Sequence, residues 1–155
     1  FESKEDLFAE IFRIATQRED DKVAEALAAE DNAVSRLEVA LRQFAERALR
    51  GPVMAWSLIA EPVDPKVEEE RLKFRRAYAQ LFEQAIRDGI KEGCLPDQDA
   101  RQSSTCLVGA IAESLVGPLS PAQADTTEQA ETNDHDPLVN SIICFCMQGL
   151  TGTRR

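Results

Sequence analysis

The sequence predicts an all-α domain of about six helices. Three observations carry that expectation. Long runs rich in Ala, Leu, Glu, Arg and Gln lack helix breakers, the seven Gly and seven Pro fall mostly at a few points between those runs, and apolar residues recur three and four apart. No segment alternates convincingly enough to read as a strand, and no internal repeat of 20 to 50 residues is visible.

Taken in order, the first helix is expected from Lys4 to about Glu30. Ser3 is its N-cap, and Asp6 completes a loose capping box. Leu7, Ile11 and Ile14 form its apolar stripe, broadened by Phe8, Phe12 and Ala15; the acidic run Glu19-Asp20-Asp21 is expected to break or loosen its middle. Asp31 or Asn32 caps a second helix, in which Val34, Leu37, Leu41, Phe44 and Ala48 give the cleanest amphipathic pattern in the chain. Gly51-Pro52 stops it and starts a short segment, Val53 to Ala60, apolar nearly all round and therefore buried. Asp64-Pro65 opens a long helix that runs to about Glu92 and is closed by Gly93. Asp97 caps the next, which ends at Gly117-Pro118. A long, mobile surface loop is expected over 117–137, and a last helix from Pro137 or Leu138 to about Gly149. The whole chain, 1–155, reads as one domain.

Charge and composition exclude several function classes. Twenty-eight acidic against 18 basic side chains give a net charge of −10, which repels nucleic acid phosphates and anionic membranes. Cys94, Cys106, Cys144 and Cys146 contain no C-x-x-C pair, and the single histidine, His135, sits in a polar stretch, so no metal site or cofactor is expected. The apolar neighbours Ile143 and Phe145 suggest buried, reduced thiols and hence a cytoplasmic protein, and no apolar run is long enough to span a membrane. With no histidine on a helix and no Gly-rich phosphate loop, no catalytic residues are assigned. The runs Glu68-Glu69-Glu70 and Glu19-Asp20-Asp21 read as solvated charge.

The long helix from Asp64 carries the most chemistry. Val67, Phe74, Tyr78, Leu81, Phe82 and Ala85 share one face, with Arg71 inside it and Arg75 at its margin. Two readings stay open for the arginines: both snorkel along the core, or one holds an anionic or polar ligand by a bidentate contact. Phe44, Met54, Trp56, Phe74 and Tyr78 are candidates for an apolar pocket wall, with core packing as the alternative. The last helix is apolar on more than one face, which places it either deep in a monomer or at an interface.

The opening FESKEDLFAEIF resembles the junction of tetracycline-repressor (TetR) family regulators, where an aromatic closes the helix-turn-helix and S-K-E-x-L opens the regulatory domain. Phe1, Ser3, Lys4, Glu5 and Leu7 match that junction. WSLIAEP (56–62), YAQLFEQAIRDGIKEGCLP (78–96) and LVGAIAESLVGPL (107–119) are similar to the same family's ligand-binding domain, in the same order. The resemblance implies an effector-binding and dimerisation domain of a repressor, whose DNA-binding helix-turn-helix lies upstream of Phe1. It further implies a small-molecule effector, with Phe44, Met54, Trp56, Arg71, Phe74, Arg75, Tyr78 and Ile111 as ligand candidates. A homodimeric four-helix bundle is also implied, built through Leu107, Ile111, Leu115, Leu138, Ile142, Phe145 and Cys146. DNA would be reached only through the upstream domain. A helical dimerisation or adaptor module without a ligand is the alternative.

Overall fold

The computed structural model describes residues 1–29, 32–124 and 134–153. Their regular elements are helices: α1 (Lys4–Leu27), α2 (Ala33–Arg50), α3 (Pro52–Ile59), α4 (Pro65–Lys91), α5 (Ala100–Leu119), the single turn α6 (Pro121–Ala124) and α7 (Asp136–Thr151). The fold class is all-α, as the composition and spacing predict.

Side-chain caps fix the helix starts by satisfying first-turn N–H groups that have no partner within the helix. Ser3 accepts from the Asp6 N–H at 3.1 Å, Asn32 from Ser35 at 3.0 Å and Asp64 from Lys66 at 2.9 Å. The start of α5 differs from expectation: Asp99, not Asp97, is the cap, accepting from the Gln102 N–H at 3.0 Å. Gly93 closes α4 with φ 76°, a left-handed geometry that costs glycine least. The helical part of α5 passes Gly117-Pro118 and ends at Leu119, and Pro121–Ala124 is helical again. The loop expected over 117–137 is thus partly helix, and the mobility expected of its centre falls on 125–133, outside the described residues.

Continuity of α1 is the second difference. The helix runs unbroken through Glu19-Asp20-Asp21, because two of the three carboxylates find partners and only Asp20 is left to the repulsion of its neighbours. Gln17 bonds Asp21 at 3.0 Å, and Glu19 bonds Arg47 of α2.

Packing centres on α4, which lies against α1, α2 and α5; α2 and α5 in turn contact α7 and α3. Tyr78, Phe82 and Ile86 of α4 meet Leu37 and Leu41 of α2 and Ile111 and Leu115 of α5 in the core, all at most 2% exposed. The Tyr78 ring touches those of Phe44, Phe74 and Phe82, with centroids 5.0, 5.6 and 5.0 Å away. A satellite cluster of Ala9, Phe12, Leu58 and Val67 joins α1, α3 and α4. The apolar stripe predicted for α1 does not all point inward. Ala9, Phe12, Thr16 and Val23 are buried, whereas Leu7, Phe8, Ile11 and Ile14 stay between 39% and 49% exposed. One helix flank packs on α2 and α4, so only one of two apolar stripes can be covered. Among the described residues, no helix is long and apolar enough to cross a membrane.

Gly89 marks the closest approach. A Cβ there would stand 2.6 and 2.9 Å from Leu95 Cδ1 and Cγ and 3.1 Å from Ala33 Cβ. Gly89→Ala gains up to about 1 kcal/mol of helix propensity. Overpacking is expected to outweigh it, for a net loss of about 1–2 kcal/mol, read as a lower urea midpoint at unchanged slope.

Candidate functional site

A cavity of about 280 Å³ lies between α1, α2, α3 and α4. Its apolar wall is Phe44 and Ala48 of α2, Met54, Ala55, Leu58 and Ile59 of α3, and Phe74 of α4. Glu19 and Lys22 of α1 and Arg47 and Arg50 of α2 add charge. Arg47 Nε donates to Glu19 Oε2 at 3.0 Å. Its Nη2 stands 3.0 Å from the same oxygen, but out of line for a second hydrogen bond, and has no other acceptor.

Of the residues proposed from sequence, Phe44, Met54 and Phe74 come together on this wall. Tyr78 sits one layer behind, packed on both phenylalanines. Its hydroxyl is buried without a partner, and burial holds its pKa well above the ordinary tyrosine value. Trp56 is half-buried against the main core, and Ile111 is fully buried there; neither lines the cavity.

The two arginines are engaged elsewhere. Arg71, 5% exposed, donates from Nη2 to the carbonyls of Ser57 (2.9 Å) and Glu61 (2.7 Å) and from Nη1 to Glu68 (2.6 Å). Arg75 donates to the Ile59 carbonyl at 3.0 Å. Together they satisfy carbonyls at the C-terminal end of α3, where helix acceptors lack intrahelical partners. The guanidinium of Arg71 also lies 5.8 Å from the Phe12 ring centre.

The sequence does not single out the charged members of the wall, and Glu19 falls in a run that reads as solvated charge. Their register held the signal. Glu19 lies three residues after buried Thr16 and four before buried Val23, and Arg47 falls between Phe44 and Ala48 on the α2 stripe. Asp20 is half-buried, with Oδ1 unpartnered; desolvation first, then Asp21 and Glu19, push its pKa up to about 6. Among the described residues, no group of three or more His, Cys, Asp or Glu is placed to hold a metal ion.

Residues 30–115 match the family model "Tetracyclin repressor-like, C-terminal domain". The chain belongs to the TetR family. This is a family of transcriptional regulators, not a class of enzymes. A solved transcriptional regulator of the TetR/AcrR family from Thermobifida fusca shares the fold, with a TM-score of 0.71 and 21% identity over 100% of this chain and 77% of that one. No curated protein matches the sequence.

In this TetR-family domain, the residues suggested for an interface divide into two sets. Leu107, Ile111, Leu115, Ile142 and Cys146 are buried within the single chain, and Ile111 and Leu115 have no accessible surface left to give a partner. Leu138 is half-buried, and Phe145 is 69% exposed. Phe145 borders a groove of about 350 Å³ between α5 and α7, alongside Gln102, Cys106, Ala110 and Gly149.

The raised carboxyl pKa of Asp20 sets the sign of a pH effect. Between its ordinary value of 3.8 and about 6, the folded state binds the proton more tightly than the unfolded chain. Stability therefore falls as pH rises through that window, and the penalty persists above it. Asp20→Asn is expected to gain about 1 kcal/mol at pH 7, allowing for half-exposure, and to flatten thermal-unfolding midpoints measured from pH 4 to 6.

Proposed function

We propose that this chain is the effector-binding and dimerisation domain of a TetR-like transcriptional repressor. A small molecule entering the cavity changes the DNA affinity of a helix-turn-helix that precedes Phe1 in the intact regulator. The observation that carries this reading is the cavity, apolar with a few charged groups and near the lower end of the usual size range for ligand pockets, about 300 Å³. A ligand there touches α1 at Glu19 and Lys22, and α1 is continuous back to its Ser3 cap. At 1.5 Å per residue, a displacement at Glu19 is delivered about 24 Å away, at the start of the helix. The effector acts by binding two domain geometries unequally. The outward apolar groove of Phe8, Ile11, Val53 and Met54 is the proposed seat of the DNA-binding unit, and a regulator of this kind works in the cytoplasm.

The proposed homodimer uses the α5–α7 face, with Phe145 as its apolar anchor and Gly109 and Gly149 allowing close approach, since a Cβ at either meets nothing within 4 Å. A helical dimerisation module with no ligand is the second reading; the filled ring cluster around Tyr78 favours it.

Thermal unfolding in the presence of small apolar compounds separates the two. A ligand at a hundredfold its Kd is expected to raise the midpoint by roughly 6–10 °C. Ala48→Phe, which fills the cavity, should abolish the shift while leaving the helical circular dichroism intact. No shift with any compound favours the module without a ligand. Phe145→Lys is expected to convert a dimer to a monomer in sedimentation velocity with little effect on monomer stability; a wild-type monomer at micromolar concentration removes the dimer.

A further inference from the structure

The charges at the cavity do not cancel. Three cations, Lys22, Arg47 and Arg50, face one anion, Glu19, giving the wall a net +2 in a chain of net −10. Glu19 is already taken by Arg47. Lys22 and Arg50 are exposed and, among the described residues, have no ion-pair partner. The guanidinium Nη2 of Arg47 is buried in the same wall with no acceptor in hydrogen-bonding line. An unused buried donor is costly unless something supplies an acceptor, and two uncompensated cations beside it select the sign of what does.

Resting on the effector reading of this cavity, we infer that its ligand is an organic anion: a compact apolar body capped by a carboxylate or similar headgroup held by Lys22, Arg50 and the spare Nη2 of Arg47. The body sits against Phe44, Met54, Leu58 and Phe74. A dry cavity of about 150 Å³ accepts benzene, so about 280 Å³ suits one or two rings or a medium alkyl chain. A cationic ligand finds only Glu19, already neutralised by Arg47. Two of the three headgroup contacts, Lys22 and Arg50, lie at the solvent-exposed rim, so the preference for an anion weakens as salt rises.

The test is calorimetric titration of the domain with 2-naphthoate, 2-naphthalenemethanol and 2-naphthylmethylammonium, and with decanoate, 1-decanol and decylammonium. The carboxylates are expected to bind roughly ten-fold more tightly than their alcohols. Lys22→Gln with Arg50→Gln, both at exposed positions, should collapse that advantage while leaving alcohol affinity unchanged, and Ala48→Phe should abolish binding of both. Alcohols or ammonium compounds binding as tightly as the acids overturn the anion proposal and leave the effector cavity standing. So does a carboxylate advantage that survives the double variant. Binding that survives Ala48→Phe lies outside this cavity and overturns the proposal, and no binding in either series overturns it together with the effector reading.

Discussion

An eight-residue helix cannot hold its own shape in water, and the candidate site depends on one. Helix α3 is far below the length at which isolated helices become stable, and its terminal carbonyls have no partners within it. Arg71 and Arg75 of α4 supply those partners at Ser57, Ile59 and Glu61. The bond from Arg71 to Glu68 keeps its charge compensated, so a guanidinium that is only 5% exposed is tolerated there. Held in this way, α3 presents Met54, Ala55, Leu58 and Ile59 as one side of a space that α1, α2 and α4 complete. Without the two arginines, α3 would have only Ala55, Leu58 and Ile59 as buried anchors. The pocket follows from a backbone-carbonyl clamp more than from the shape of its apolar side chains.

That clamp also explains why the cavity sits where it does. On the Tyr78 side, four aromatic rings fill the space between α2 and α4. On the other side of Phe44 and Phe74 the small residues Ala48, Gly51 and Ala55 leave room that no neighbour enters. The polar boundary is made by α1, whose Glu19 reaches Arg47 across the helix interface. The ordering of aromatic plug, cavity and charged wall comes from three helices that each turn a different residue class to the same point.

Much of the fold is legible in the sequence because helix periodicity and end signals agree. The stripe Val34, Leu37, Leu41, Phe44 and Ala48 is the inward face of α2, and Ser3, Asn32, Asp64 and Gly93 mark the boundaries the composition suggests. Reading fails where two answers share one pattern. On α1 two apolar stripes compete, and tertiary packing chose Phe12 and Val23 over Leu7 and Ile11. Between Asp97 and Asp99 both carboxylates can cap, and only the chain path decides. The site was half legible: Phe44, Met54 and Phe74 follow from aromatic and apolar placement on amphipathic faces. For Glu19 and Arg47 register gives only the helix face, because a charge acquires a partner only when two helices meet.

The cavity is not isolated from the surface. Gly51, Met54 and Leu58 line both the cavity and the neighbouring outward groove formed with Phe8, Ile11 and Val53. Side chains packed at ordinary protein density do not deform continuously, so a ligand that shifts Met54 or Leu58 changes the shape of both spaces. On the proposed reading, the groove seats the DNA-binding unit and the cavity takes the effector. Beside the path along α1, the coupling between them then has a second and shorter one. It passes through two side chains of a helix whose far end is fixed to α4 by Arg71 and Arg75, so that movement is taken up at the Gly51-Pro52 end, next to the groove. Linkage makes such a coupling reciprocal: on that reading, a cavity ligand and the unit docked in the groove change each other's affinity by the same factor.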